Sequence, residues 1–208
     1  MDSARYHAFR IVFEFETFNL QLKSIRNAYY KKNNIASNDR KRAMVLSNEV
    51  IRWKKYLDAL IAPSLNKSIN KLPLEILCIL RLGYYEFFMD ESVPDHAVVN
   101  SWVNISKKVK KTNFSGLVNA VLRKAKKIEK QTILKSKDLA IQKSFSRWMV
   151  DNWSAQFGDL KTRQLLDHLN KPSLQDIRTN IPMDVLKEKL DQLGVEFHKS
   201  PFSQNFLR

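Results

Sequence analysis

The scarcity of turn-forming residues is the feature that most limits the fold of this chain. Its 208 residues include four glycines and six prolines, too few for the many tight turns of a sheet-rich protein. Apolar residues instead recur three and four positions apart, which is the period of one helix face. These residues are Ala43, Leu46, Val50, Trp53, Leu57 and Leu60. Because 44% of the residues are hydrophobic, a packed core is feasible. The sequence therefore predicts a mainly α-helical protein.

The first 130 residues are predicted to form an all-α helical bundle. An amphipathic helix at the N-terminus, a helix through 43–60 and helices beginning near Pro94 and Asn113 would surround one central helix. That central helix is predicted at 71–89, a segment that is apolar on nearly every side. Residues 131–143 are interpreted as a charged linker or a helix extension.

Residues 144–208 are predicted to open a small α/β domain. A helix ending at Gly158 and a second one after it would precede a strand at 176–180, a helix at 183–193 and a strand at 195–198. Two strands do not form an independently stable sheet. We therefore expect this α/β region to be incomplete, with the chain ending inside a domain.

Positive charge is concentrated before residue 144. The whole chain carries 36 Lys and Arg against 21 Asp and Glu, a net charge of +15. Residues 1–143 hold 27 of the basic and 13 of the acidic groups (net +14), and residues 103–143 alone hold 12 and 2 (net +10). Such an excess indicates an acidic partner, most often a nucleic acid. The alternative is that the lysines form solvated helix faces.

Sequence signals for catalysis are absent. The chain has no glycine-rich phosphate or dinucleotide loop, and its four histidines match no metal-ligand spacing. Cys78 lies in the most apolar stretch, which predicts an unreactive core thiol, and His96 is interpreted as a structural or capping residue. No segment resembles a membrane span or a secretory signal. These features are typical of a cytoplasmic binding protein.

Three motifs carry a resemblance to a known family. They are VLSNEVIR at 45–52 with the flanking 39–40 and 57–58, LRLGYYE at 80–86 with VPDHAVVN at 93–100, and GLVNAVLR at 116–123. In this order and spacing they resemble NusB-like domains. Ser101 departs from the family pattern, which commonly has Glu after the HAxxN motif.

Such domains occur as a transcription antitermination factor and at the N-terminus of Sun/RsmB-type 16S rRNA cytosine-C5 methyltransferases. The ending NAVLR and the continuation through 144–180, including Trp148, Asn170 and the IRTN run at 177–180, resemble the methyltransferases. The resemblance implies a bundle at 1–130, a linker at 131–143 and the start of the small domain at 144–208. It also implies that S-adenosylmethionine and the catalytic residues belong to a further domain, so no cofactor is expected here.

The resemblance implies an RNA partner, ribosomal RNA in the leading interpretation, held by Lys and Arg through its phosphates. The predicted contacts are Lys107, Lys108, Lys110, Lys111, Arg123, Lys124, Lys126, Lys127, Arg40, Lys41 and Arg42. Arg81, inside the apolar helix, is predicted to pair with a carboxylate instead. For Arg178 and Asn180 two roles stay open, contact with RNA and anchoring of a strand.

Two other functions stay open from the sequence. One is an antitermination-type factor that binds RNA and a ribosomal protein. The other is a protein-interaction bundle whose charge serves solubility.

Overall fold

The structure, a computed structural model, describes residues 3–90, 93–109, 114–125, 138–171, 176–201 and 206–208. These residues are mainly helical, as predicted. Two compact units are present, Met1–Leu166 and Asp167–Arg208. The predicted domain limits at 130 and 143 stay predictions, because residues 126–137 lie outside the described part.

The first unit contains eight described α-helices and part of a ninth. Their bounds are α1 (Ser3–Phe18), α2 (Leu22–Lys32), α3 (Ser37–Arg52), α4 (Lys54–Ile61), α5 (Leu74–Met89), α6 (Asp95–Val109), α7 (Phe114–Ala125), α8 (Leu139–Gln142) and α9 (Arg147–Leu169). Two short 3-10 helices, Ala62–Ser64 and Ile69–Lys71, connect α4 to α5. The helix predicted through 43–60 is two helices, because the backbone leaves helical geometry at Trp53 (φ −94°, ψ 15°).

Helix α5 is the centre of the bundle. It contacts α1, α3, α4, α6 and α7, and eleven of its sixteen residues are buried. The prediction of a central buried helix at 71–89 is therefore confirmed, with the helix beginning directly after Pro73. Its neighbours bury their own apolar faces against it, and this common burial provides the main stabilisation of the bundle.

Gly83 allows α6 and α7 to approach α5 closely. A Cβ atom built at Gly83 would lie 2.7 Å from Leu122 Cδ2 and 3.3 Å from Trp102 Cδ1. Carbon atoms cannot approach to 2.7 Å without displacement of one of them. The absence of a side chain at this position therefore fixes the packing of the two helices that carry several predicted RNA contacts.

Gly158 divides α9 as predicted. Its φ of 76° and ψ of 160° are not helical, and such positive φ values are accessible to glycine at little cost. Before this glycine, Val150 packs with Ala140 of α8 and with Leu166 in a small apolar cluster. No helix in the described part of the chain is long and apolar enough to span a bilayer.

The second unit contains β1 (Ile177–Arg178), α10 (Met183–Gln192) and β2 (Phe206–Leu207). The strand predicted at 176–180 is confirmed in part, but the one predicted at 195–198 is wrong. Strand β1 instead pairs antiparallel with β2, Ile177 opposite Leu207. Backbone bonds between His198 and Arg208 tie 198–200 to the other side of β2. Apolar alternation marked 195–198 as extended, but long-range pairing decides which extended segments join a sheet.

Candidate nucleic-acid interface

The structure separates the arginines of the bundle into two groups, those held in internal ion pairs and those on the surface. Glu86 of α5 is buried and accepts hydrogen bonds from Arg5 Nε (2.7 Å), Arg42 (2.9 Å) and Trp102 Nε1 (2.7 Å). Arg42 also binds Asp90. Burial alone lowers the pKa of Arg42, but the hydrogen bonds and charges of Asp90 and Glu86 raise it overall. This cluster joins α1, α3, α5 and α6.

Arg81 forms a second internal cluster. Its Nε and a terminal nitrogen donate to the two carboxylate oxygens of Asp58 at 2.7 and 2.8 Å, and Glu16 Oε2 lies 3.5 Å from its other terminal nitrogen. Glu16 also accepts a hydrogen bond from Lys54 at 2.6 Å. The prediction that Arg81 pairs with a carboxylate is confirmed. The bidentate geometry is the one that guanidinium and carboxylate groups favour.

Cys78 lies on the buried side of α5 and is fully enclosed. Burial raises the pKa of its thiol to about 12, so the reactive thiolate is scarce at neutral pH. The prediction of an unreactive core cysteine is therefore confirmed.

The first exposed cationic group lies at the start of α3. Arg40 and Lys41 are exposed, and the guanidinium of Arg40 lies over the ring of Tyr30, 5.5 Å from its centroid. The Tyr30 hydroxyl donates to the Arg40 carbonyl at 3.0 Å. Tyr30 therefore holds Arg40 in place at the surface. Arg42, next in sequence, has instead the internal role described above, and an RNA contact by it stays a prediction.

A second exposed group lies at the end of α6, where Lys107 and Lys108 are exposed in the last turn. At a rise of about 1.5 Å per residue, Lys107 lies roughly 16 Å along the helix from His96. Lysines at a helix C-terminus also interact favourably with the helix dipole, so part of their role is local.

A third exposed group lies at the end of α7, where Arg123 and Lys124 point to different sides. Arg123 Nε donates to Asn119 Oδ1 at 3.1 Å, and its side chain lines a pocket beside α6. Lys124 Nζ donates to the carbonyl of Ser64 at 3.3 Å. The two neighbours in sequence therefore face different helices.

Four of the predicted contacts, Lys110, Lys111, Lys126 and Lys127, lie outside the described residues. They follow α6 and α7 in the sequence. Their predicted role in RNA binding stays a prediction. Arg178 lies in β1, where its side chain is exposed, and the choice between its two predicted roles stays open.

A pocket of about 340 Å³ brings together residues that sequence reasoning treated separately. It is lined by His96, Val99, Asn100 and Arg123. The start of α6 therefore lies beside the end of α7. His96 is exposed, and its side chain shows no hydrogen bond to another described residue, so the structural or capping role predicted for it receives no support there. Asn100 was missed as a site residue, although its spacing of four from His96 places both on one helix face.

Comparison with known proteins agrees with these features. The sequence profile of the NusB family matches residues 2–127. A probable ribosomal RNA small subunit methyltransferase B from Synechocystis sp. is 28% identical over 86% of this chain and 41% of its own length. The corresponding Bacillus subtilis protein is 26% identical over 91% of this chain and 43% of its own length. The chain thus spans about two fifths of these curated relatives.

The transcription antitermination protein NusB of Mesorhizobium japonicum is 31% identical over 59% of this chain and 76% of its own length. Among solved structures, antitermination factor NusB in a complex with NusE and double-stranded RNA superposes with a TM-score of 0.57 at 24% identity, over 61% of this chain and 95% of that one. The crystal structure of PH0851 superposes over all of this chain and 48% of that one, with a TM-score of 0.69 at 13% identity.

These two structural similarities show the fold. The profile match covers more than half of the chain, including the ion-pair clusters and the three exposed cationic groups. The chain belongs to the NusB family.

Proposed function

We propose that this chain is the RNA-binding part of a ribosomal RNA (cytosine-C5) methyltransferase and that it acts in the cytoplasm. The observation that carries the proposal is the extent of similarity. The two methyltransferase B relatives align with 86% and 91% of the chain, well past residue 127, where the NusB profile ends. The antitermination protein of Mesorhizobium japonicum aligns with only 59% of the chain.

The binding step would depend on the exposed cations. Arg40, Lys41, Lys107, Lys108 and Arg123 are exposed on the bundle, and a cation that contacts a phosphate releases counterions from the RNA. These contacts supply affinity and salt dependence, whereas sequence information comes from unpaired bases and RNA shape. Methyl transfer with S-adenosylmethionine is proposed for a further domain of such a protein, and these residues would position the RNA for it.

The test is RNA binding by the purified chain at two salt concentrations. Fluorescence anisotropy with labelled fragments of small-subunit ribosomal RNA should give a dissociation constant that rises steeply with salt. In the double variant Arg40→Gln/Lys41→Gln, affinity near 0.1 M salt should fall about fivefold for each phosphate that the chain no longer binds.

The matched control is Lys161→Gln/Arg163→Gln. It removes the same charge from exposed positions of α9, in the nearly neutral last third of the chain, and should leave affinity close to that of the parent. If the parent does not bind RNA even at low salt, the proposed function fails and the protein-interaction bundle is favoured. If both double variants weaken binding equally, binding depends on net charge and not on this surface.

The second candidate is an antitermination-type factor that binds RNA together with a ribosomal protein. It is supported by the 31% identity to the Mesorhizobium japonicum protein, of which the chain covers 76%. Size-exclusion chromatography with purified NusE distinguishes the two. A stable complex that also tightens RNA binding would favour the second candidate, and RNA binding without a complex would favour the first.

A further inference from the structure

The pocket between α6 and α7 has a chemical character that differs from the rest of the basic surface. Its described lining consists of His96, Val99, Asn100 and Arg123, so it combines an apolar wall with neutral and cationic polar groups, and none of these described lining residues is acidic. Val99 is 6% exposed and provides the apolar wall. A volume of about 340 Å³ is in the range of small-ligand pockets.

The polar groups of this pocket are available to a ligand. In the described part of the chain, neither His96 nor the Asn100 amide makes a side-chain hydrogen bond, and Arg123 makes one, through Nε to Asn119 at 3.1 Å. That bond leaves both terminal nitrogens of the Arg123 guanidinium available and limits its rotation. By contrast, Arg5 and Arg42 pair with the buried carboxylate of Glu86, and Arg81 pairs with the partly buried carboxylate of Asp58.

We propose that this pocket binds one unpaired nucleotide of RNA. The inference rests on the proposed RNA-binding function and deepens it by naming the site at which a base is read. The Asn100 amide offers both a donor and an acceptor, which is what the edge of a base requires. The Arg123 guanidinium binds a phosphate or stacks on a base, and the wall at Val99 accepts the apolar face of the ring.

An unpaired nucleotide suits these groups better than a lone anion does. A phosphate or carboxylate alone would use Arg123 but would leave the amide acceptor of Asn100 and the wall at Val99 without a complementary surface. Sequence-specific recognition of RNA is directed mostly at splayed, unpaired bases. The pocket therefore adds base contacts to a surface whose other cations contact phosphates.

The first measurement is a titration of the isotope-labelled 208-residue chain, followed by NMR. The probes are the four nucleoside 5′-monophosphates, with inorganic phosphate as the parallel ligand. The expected result is that a nucleotide shifts the side-chain amide signals of Asn100 and the ring signals of His96, and that phosphate alone shifts them less. If phosphate gives equal shifts and equal affinity, the pocket binds a simple anion and the proposal of a nucleotide site is overturned. If no nucleotide shifts these signals, the proposal is also overturned.

The second measurement is RNA binding by Asn100→Ala. Removing about two hydrogen bonds to a base should weaken binding of a single-stranded RNA about tenfold and change the salt dependence little, because no charge is removed. The control Asn152→Ala removes an exposed helical asparagine from α9 and should bind as the parent does. Circular dichroism of both variants checks that the helices are intact.

The outcomes separate this inference from the proposed function. If the parent binds RNA and Asn100→Ala binds equally well, the pocket does not read a base, and the proposed function stands. If the parent does not bind RNA, the proposed function fails, and the nucleotide titration still decides whether the pocket takes a nucleotide.

Discussion

At the scale of single residues, the buried carboxylate of Glu86 organises the bundle. One side chain accepts hydrogen bonds from Arg5, Arg42 and Trp102, which come from three different helices. A buried charge is costly unless it is fully paired, and removing one partner leaves the others uncompensated. The cluster therefore fixes the position of α5 relative to its neighbours, and it engages the guanidinium groups of Arg5 and Arg42 in ion pairs.

Glu86→Gln should lower the free energy of unfolding by about 3–5 kcal/mol, because Arg5 and Arg42 then lose the buried negative charge that both of them pair with, although Arg42 keeps its pair with Asp90. The matched control is Glu14→Gln, which breaks the partly exposed pair with Arg10 and should cost about 1 kcal/mol or less. Urea unfolding of both variants at neutral pH measures the two values. Equal small losses would show that the Glu86 cluster adds little to stability.

The raised pKa of Tyr85 predicts that the protein loses stability at high pH. Burial, followed by the charges of Glu49 and Asp90, raises the pKa of Tyr85 to about 12, above the ordinary value of 10. Between these two values the unfolded chain has released the proton and the folded chain retains it. The free energy of unfolding therefore falls as pH rises from about 10 to about 12.

Tyr85→Phe removes this titration and should flatten the decline over that pH range. Stability measured by urea unfolding at several pH values, with pH 8 as the reference, gives the two slopes. An unchanged slope in the variant would mean that other groups account for the decline.

At the scale of elements, the packing of α6 and α7 on α5 depends on one missing side chain. Gly83→Ala places a methyl group 2.7 Å from Leu122 Cδ2, so α7 must shift or Leu122 must leave its position. Overpacking of this kind costs about 1–3 kcal/mol, and it should also disturb the pocket at Asn100 and Arg123. Thermal unfolding measures the loss.

Gly116→Ala is the matched control, because a Cβ there meets nothing within 4 Å and alanine favours a helix by about 0.5–1 kcal/mol. The two substitutions should therefore change stability in opposite directions. If Gly83→Ala were also stabilising, the close approach of the three helices would not be maintained in solution.

At the scale of the whole molecule, the boundary of the positively charged region does not coincide with the boundary between the two compact units. Most of the net charge lies in residues 1–143, and the second unit is Asp167–Arg208. A chain shortened to residues 1–171 should therefore unfold cooperatively and bind RNA within about twofold of the full chain, since it keeps every exposed cation assigned to the interface. Anisotropy and thermal unfolding of both chains test this, and a large drop in affinity would assign part of the binding to the second unit.

The sequence predicted much of this architecture because the signals involved are local. The helices are marked by the helical period of apolar residues, by the scarcity of turn residues and by Gly158. They form where their apolar faces can be buried against other elements. Arg81 and Cys78 were also predictable, because a charge or thiol inside an apolar helix has few possible environments. The break at Trp53 was not predictable, since an apolar stripe continues through it and only packing against α5 decides where the helix bends.

The candidate site was predicted less well than the fold. A run of basic residues does not reveal which side chains reach solvent, so the sequence predicts the same role for Arg40, Lys41 and Arg42. Only the folded chain places Arg42 against Glu86 and leaves Arg40 on Tyr30. In the same way, no local signal joins Asn100 to Arg123, which lie 23 positions apart.

The sequence by itself determined the helical class, the central helix and the concentration of positive charge, because each depends on side-chain chemistry and short-range spacing. The tertiary structure decided which cations are neutralised inside the bundle, which polar groups share a pocket, and that β1 pairs with β2 and not with 195–198. These depend on contacts between residues far apart in the chain, whose free energy appears only when the helices have packed.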